Sequence, residues 1–307
     1  MSALLIWIAR LGPWVLASGL AVGIAFPGLG AVVRPWLPEM VVMLLFLASL
    51  RIGFAEMAGS VQALLRASGM VLVFQLLCPL VVVIVGYGFG VIDQTWLVAL
   101  VIMMSASSIV GSPNMALMMG HAPDTAMRML VVGTAMLPLT VVPVFLLMPS
   151  LGGATVIVWA AAKLLLVILG STLAAMACRK WPLRDMGPLG QRRLDGVSAI
   201  VLAVFVIGLT QAAGDTLRAA PVTMLWWLGV AFLANFGAQV VCFFTVREWI
   251  KPGAAVGVSL VAGNRNVALF LVSLPAEVTA PLLVFIGCYQ IPMFLTPLVL
   301  GRLYKAA

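Results

Sequence analysis

Apolar residues recur along the whole chain in runs of about 17 to 25 residues, a length that crosses a bilayer as a helix. Ten runs are present, separated by short polar or charged gaps. They cover residues 13–30, 38–53, 68–90, 96–119, 127–148, 154–178, 197–213, 222–246, 255–274 and 279–301. The pattern predicts an all-α polytopic membrane protein with ten transmembrane helices, or nine if one of the short second and seventh runs is re-entrant.

The composition excludes a soluble protein. Of the 307 residues 64% are hydrophobic and 8% are charged, whereas soluble domains carry about 25% charged residues. The net charge of +8 is spread over short gaps rather than gathered on one patch, which argues against a nucleic-acid partner. Four cysteines, Cys78, Cys178, Cys242 and Cys288, lie in or beside apolar runs without paired spacing. They are expected to be buried apolar residues, and no metal site is predicted.

Lysine and arginine indicate the orientation of the chain. Thirteen of the 17 lie at the two ends or in even-numbered gaps: Arg10, Arg51, Arg66, Arg128, Arg179, Lys180, Arg184, Arg192, Arg193, Arg247, Lys251, Arg302 and Lys305. The odd-numbered gaps hold only Arg34 and Arg218. The positive-inside rule therefore predicts an even number of spans in the cell (inner or plasma) membrane, with both termini in the cytoplasm.

An internal repeat relates the two halves of the chain. Gly111–Asn114 in the fourth run and Gly263–Asn266 in the ninth both read Gly-x-x-Asn, at an offset of 152 residues. Two proline pairs with equal internal spacing follow at an offset of 154: Pro138 with Pro143, and Pro292 with Pro297. Because five spans is an odd number, the second half enters the membrane from the opposite side. The sequence thus predicts two inverted five-helix repeats, over residues 1–150 and 151–307.

The two motifs should interrupt the fourth and ninth helices. Glycine or proline beside asparagine in mid-span frees backbone N–H and C=O groups, which survive in a membrane only where they line a cavity or bind something. Breaks at matching depths of two inverted halves would meet near the midplane. We therefore expect a substrate-binding site there, with these candidate residues: Ser112, Asn114, Asn264, Arg265 and Asn266.

Two basic residues lie within spans, Lys163 in the sixth run and Arg265 in the ninth. A mid-bilayer arginine needs a partner or water, and every Asp and Glu lies at a span edge or in a loop. The partner of Arg265 is therefore either an anionic ligand or the carbonyls freed by the opposite break. Lys163 either contacts the same anion or snorkels to the interface.

With these motifs the chain resembles the bile acid:sodium symporter superfamily, which are ten-helix inverted-repeat transporters of organic anions and related solutes. The resemblance covers most of the chain. It implies a core of helices three to five and eight to ten, with broken, crossing helices four and nine, and a panel of helices one, two, six and seven. The family's Ser-Asn pair is similar to Ser112 and Asn114, split here by Pro113, and its helix-five threonine is similar to Thr134, four residues before Pro138.

The resemblance departs from the family pattern at the sodium ligands. Sodium-coupled members read Glu-x-Gly-x-Gln-Asn in helix nine, whereas this chain reads Val261-Ala262-Gly263-Asn264-Arg265-Asn266. Both ligands are replaced, and a guanidinium offers only donors, so we expect sodium-independent transport. A residual sodium site would use Ser112, Asn114, Thr134 and Gln75, although Gln75 is one residue too close to Pro79. The arsenite-exporting branch has a helix-four cysteine, which is absent between Ser105 and Met115.

The expected function is secondary transport of a small organic anion by alternating access, without a cofactor and in an oligomeric state that the sequence leaves open. The alternatives are a sodium-coupled symporter with an altered cation site and a non-transporting membrane receptor or subunit. An intramembrane protease is disfavoured because no aspartate pair lies within spans and no His-Glu-x-x-His helix is present. A serine protease would need a base near its nucleophile, and the one histidine, His121, lies at the end of the fourth run.

Overall fold

The computed structural model describes residues 2–52, 60–181, 183 and 187–305. Over these ranges the chain is helical and contains no strand, apart from one isolated β-bridge. Arg184, one of the residues expected on the cytoplasmic side, lies outside the described residues.

The helices are numbered here in chain order. They are α1 (Ser2–Arg10), α2 (Gly12–Ala25), α3 (Pro27–Arg51), α4 (Val61–Gly88), α5 (Thr95–Ser105), α6 (Ser112–Met118), α7 (Asp124–Phe145), α8 (Ala154–Lys180), α9 (Pro188–Ala219), α10 (Pro221–Val246), α11 (Pro252–Gly263), α12 (Phe270–Ser273) and α13 (Ala276–Lys305). Short 3₁₀ or π segments interrupt α3, α4, α10 and α13 without ending them.

Seven of these helices are long and apolar enough to cross a bilayer: α3, α4, α7, α8, α9, α10 and α13. The α1–α2 pair, bent by 79°, meets the same criterion as one broken span, and α5 and α11 are apolar but shorter. The fold is therefore that of a multi-pass helical membrane protein, as the composition predicted.

Several predicted boundaries were wrong for a physical reason. The first run was expected to end at residue 30, but α2 ends at Ala25 and Pro27 begins α3, eleven residues before the predicted start of the second run. Proline at the first helical position needs no hydrogen bond from its nitrogen, so it starts a new helix easily. The seventh run was expected over 197–213, whereas α9 extends beyond it at both ends, over Pro188–Ala219. Hydropathy marks only the apolar middle of this helix, because its ends are polar.

The helices pack in two groups. In the first group α9 lies against α1, α2 and α3, and α8 lies against α3. In the second group α7 packs on α4, α6 and α11, and α10 packs on α11 and α13. The groups meet where α9 contacts α10 and α13, where α7 contacts α8, and where the short α12 packs on α3 and α8.

Glycines allow the close approach of α9 to the N-terminal helices. A Cβ on Gly19 would lie 2.7 Å from the carbonyl oxygen of Ala203, and one on Gly23 would lie 2.8 Å from that of Ile207. Small residues at helix contacts are typical of membrane proteins, in which close packing replaces the hydrophobic effect.

Candidate functional site

Two apolar helices of the second group are interrupted. Helix α5 ends at Ser105 and α6 begins at Ser112, while α11 ends at Gly263 and helical structure resumes at Val267. The first interruption therefore covers residues 106–111, rather than the predicted 111–114. Ser112, Pro113 and Asn114 form the first turn of α6, where the missing N–H of proline leaves no hydrogen bond unmade.

The two interrupted segments meet, as the sequence predicted. Ser108 and Arg265 form an isolated antiparallel β-bridge. It is flanked by hydrogen bonds from Ile109 N to Asn264 O (3.1 Å) and from Asn266 N to Ser107 O (2.7 Å). Each break thus satisfies backbone groups that the other break has freed, which is what a non-helical segment at membrane depth requires.

Arg265 lies at this junction with only 3% of its surface exposed. Its Nε donates to Ala262 O (3.0 Å), at the end of α11, and its Nη1 donates to Ala106 O (2.9 Å), in the opposite break. The guanidinium carbon lies 5.6 Å from the ring centre of Phe74 on α4, within cation–π range. The side chain therefore ties together both breaks and α4.

The charge of Arg265 has no carboxylate partner among the described residues. There the one ion pair within 4.0 Å joins Arg51 and Asp195. The third guanidinium nitrogen of Arg265, Nη2, makes no hydrogen bond to any described residue. Of the two partners expected for Arg265, the structure shows the carbonyls, which accept from Nε and Nη1.

Hydroxyl and amide groups surround the first break. Thr134 Oγ1 donates to Ser107 Oγ (3.3 Å), and the hydroxyls of Ser108 and Ser112 lie 2.8 Å apart. Gln75 lies buried in a π-helical segment of α4, where its Oε1 accepts from Thr140 Oγ1 (3.4 Å). Its Nε2 lies against Gly133, where a Cβ would approach it to 2.7 Å.

These groups are connected to Arg265 through the chain. Ser107 follows the Ala106 carbonyl that Arg265 contacts, and Thr134 follows the Gly133 that faces Gln75. The candidate residues Ser112, Thr134, Asn264, Arg265 and Asn266 therefore lie in or against the two breaks and form one polar cluster, whereas Gln75 lies against Gly133 and is bonded to Thr140.

Asn264 also points into a second polar network, whose other members are not among the predicted site residues. Asn235 Nδ2 donates to Asn264 Oδ1 (3.1 Å) and to Gly263 O (2.7 Å), and Gln239 Nε2 donates to Asn235 Oδ1 (2.7 Å). Thr296 and Tyr304 of α13 complete it. Two amides four residues apart, Asn235 and Gln239, in an otherwise apolar run were the available signal, because that spacing places them on one helix face.

Two candidate residues lie outside the cluster. Asn114 is exposed on α6, and its Oδ1 accepts from Arg51 Nη1 (3.5 Å) rather than facing Arg265. Lys163 is exposed on α8, whose buried face consists of residues such as Ile157, Ala160 and Leu164. Lys163 takes no part in the one ion pair among the described residues, and its exposure contrasts with the burial of Arg265 at the junction.

The donor set is poor in metal ligands. In the described ranges no group of three or more His, Cys, Asp or Glu side chains lies together. None of the four cysteines forms a disulfide. Cys242 and Cys288 are buried, and Cys78 and Cys178 are half-buried. The chemistry at the junction is thus that of hydroxyls, amides and one guanidinium.

No model of a known protein family matches the chain, and no curated protein is significantly similar to it.

Proposed function

We propose that this protein is a secondary transporter that carries a small organic anion across the cell membrane by alternating access. The observation that carries the proposal is a buried arginine at the junction of two interrupted helices. Arg265 brings a positive charge to a place where no described carboxylate neutralises it. A charge buried in that way is stabilised by a ligand of opposite sign.

In this proposal the membrane is crossed ten times. To the seven long helices we add three broken spans, α1 with α2, α5 with α6, and α11 with α12. Broken spans are typical of transporters, in which unwound backbone lines the binding site. The proposed location is the cell membrane, with both termini in the cytoplasm.

Matching irregularities support the two inverted repeats. Helices α4 and α10 each contain a five-residue π segment, Val73–Leu77 and Leu233–Gly237, with a buried amide residue at its third position, Gln75 and Asn235. Helices α7 and α13 each continue through two prolines five residues apart. With the two breaks, three kinds of irregularity recur in the same order in residues 1–150 and 151–307.

The two packing groups support a division into panel and core. The panel would contain α1, α2, α3, α8 and α9. The core would contain α4, α7, α10 and α13 together with the two interrupted spans, α5 with α6 and α11 with α12. In alternating access one group moves against the other around a fixed site. This division, like the resemblance to the bile acid:sodium symporter superfamily, is part of the proposal.

Sodium independence follows from the local chemistry. Where the related symporters are expected to present a glutamate and a glutamine, this chain has the buried apolar Val261 and the cationic Arg265. A sodium ion would have to bind beside a fixed positive charge, whereas an anion gains from it. Three modes of transport are consistent with this arrangement: co-transport of a proton that the substrate carries, exchange of one anion for another, and facilitated diffusion.

A sodium-coupled symporter is the second candidate, favoured by the oxygen atoms near the junction. Thr140 has one hydroxyl proton but two acceptors in reach, Leu137 O at 3.2 Å and Gln75 Oε1 at 3.4 Å. If that proton goes to Leu137, Gln75 Oε1 loses its donor and becomes available to a cation. Dependence on sodium distinguishes the two candidates.

The test is uptake of radiolabelled monocarboxylates, from pyruvate to cholate, into vesicles containing the purified protein, with and without a sodium gradient. We expect uptake of at least one probe that does not require sodium, and at least a tenfold loss in Arg265→Gln per folded protein. Arg218→Gln is the matched control, because Arg218 Nη2 donates to the carbonyl of Ala25 at 2.6 Å, away from the junction.

Three results would contradict the proposal. Uptake that is abolished without sodium would favour the symporter, and unchanged uptake in Arg265→Gln would leave the arginine with a structural role only. Absence of uptake for every probe, with the protein folded in the vesicles, would favour a non-transporting receptor or subunit.

A further inference from the structure

Arg51 joins three helices at one end of the molecule. It lies in the last turn of α3, and its Nε is 2.7 Å from Oδ1 of Asp195, in the second turn of α9. From the same guanidinium, Nη1 donates to Oδ1 of Asn114, in the first turn of α6, at 3.5 Å.

The contact crosses between the two packing groups. Helices α3 and α9 pack on each other, whereas α6 packs on α7 and α11, beside the two interruptions. Asn114 is exposed in the first turn of the helix that follows the first interruption, so a polar contact across this boundary connects that helix to the other group. The planar guanidinium can serve a carboxylate and an amide at once, because its nitrogens donate in a fixed fork.

The strength of the contact suits a conformational switch. The side chains of Arg51 and Asp195 are 37% and 33% exposed, and ion pairs that water reaches contribute little to the stability of a fold. The hydrogen bond to Asn114 is long. Such a contact can shift the equilibrium between two positions of α6. It can also break without unfolding either group of helices.

On the basis of the proposed transport function, we infer that Arg51, held by Asp195, is a latch that closes the cytoplasmic end of the boundary between α6 and the α3–α9 pair. The cytoplasmic assignment follows from the positive-inside distribution of Lys and Arg. In the latched arrangement Arg51 holds Asn114. Release of Asn114 lets α6 move away and opens the junction around Arg265 to that side.

The test measures the distance between α3 and α6 by electron paramagnetic resonance in lipid nanodiscs. Spin labels are attached at Met43→Cys and Met118→Cys, two exposed positions on these helices. Cys78 and Cys178 are replaced by serine, while Cys242 and Cys288 are buried and stay. Asp195→Asn, Asn114→Ala and Arg51→Lys are then compared with the labelled parent.

The matched control is Asp215→Asn, which removes the same charge from the same helix. Oδ2 of Asp215 accepts from Gln211 within α9 at 3.0 Å, so it does not cross to α6. We expect each latch variant to raise the long-distance population at least twofold over the parent, and Asp215→Asn to leave it unchanged.

Distance distributions that are the same in all variants would overturn the latch, whether or not the vesicles take up an anion. An equal change in Asp215→Asn would overturn it as well, because the effect would then be one of charge alone. A latch response in a protein that fails every uptake assay would contradict the transport function and leave the contact as a switch of another kind.

Discussion

At the residue scale, Arg265 was predictable and Asn114 was not. A buried guanidinium needs acceptors in any fold, because its desolvation is costly, so the sequence alone indicated that carbonyls or an anion must surround it. The direction of Asn114 depends on where α6 begins, since each added residue rotates a side chain by about 100° around a helix. The break lies before Ser112, and Asn114 therefore points to Arg51.

The amide network offers a prediction about stability. Gln239 donates to Asn235 Oδ1 (2.7 Å) and Thr296 Oγ1 (3.1 Å), and its Oε1 accepts from Tyr304 (3.2 Å). Gln239→Leu removes these partners of Asn235 Oδ1 and of the Tyr304 hydroxyl, each at a cost of about 1–3 kcal/mol, while Thr296 still donates to Asn264 and Pro292. We expect a clearly lower thermal midpoint in detergent than for Gln211→Leu, which removes a half-buried glutamine bonded within its own helix. Equal midpoints for the two variants would contradict a structural role for the network.

At the element scale, the sequence predicted that two helices are interrupted, because glycine, proline and asparagine in an apolar run rarely serve a continuous helix. It did not predict the π segments of α4 and α10. A π segment adds one residue to a turn without a characteristic residue type, and Val73–Leu77 is apolar apart from Gln75. The proline pairs of α7 and α13 were visible in the sequence, yet both helices continue through them.

The end of α11 gives the second prediction. A Cβ on Gly263 would lie 2.2 Å from the carbonyl oxygen of Asn235 and 2.4 Å from Cγ of Gln239, whereas one on Gly253 would meet no atom closer than 3.6 Å. Overpacking of this kind costs about 1–3 kcal/mol or more when a backbone atom has to shift. Gly263→Ala should therefore lower the thermal midpoint and the uptake, and Gly253→Ala, in the same helix, should change neither.

The outcome that would contradict this account is a Gly263→Ala protein with parental stability. It would mean that α10 and α11 can separate at the break without loss of packing, and that the close approach of the two helices is not required by the fold.

At the scale of the whole molecule, the multi-pass class was fixed by composition, because a chain with 64% hydrophobic residues has no soluble alternative. The number of crossings is harder to predict. Helices α5 and α11 have 11 and 12 residues, which is about 17–18 Å at 1.5 Å per residue, so neither spans a hydrocarbon core of about 30 Å alone. Whether each broken pair crosses or returns depends on tertiary packing that hydropathy does not contain.

Topology is therefore the third prediction, and two exposed positions test it. In the ten-span arrangement Ser150, between α7 and α8, faces outward, and Leu189, at the start of α9, faces the cytoplasm. The charges agree, since Arg179, Lys180, Arg192 and Arg193 flank the second position and residues 146–153 contain no Lys or Arg. With Cys78 and Cys178 replaced by serine, an impermeant maleimide on intact cells should label Ser150→Cys and spare Leu189→Cys, while a permeant maleimide labels both.

If α5 and α6 instead form a re-entrant pair, one crossing is lost and both positions exchange sides. Labelling of Leu189→Cys from outside would thus contradict the ten-span arrangement, and with it the inversion of the two halves.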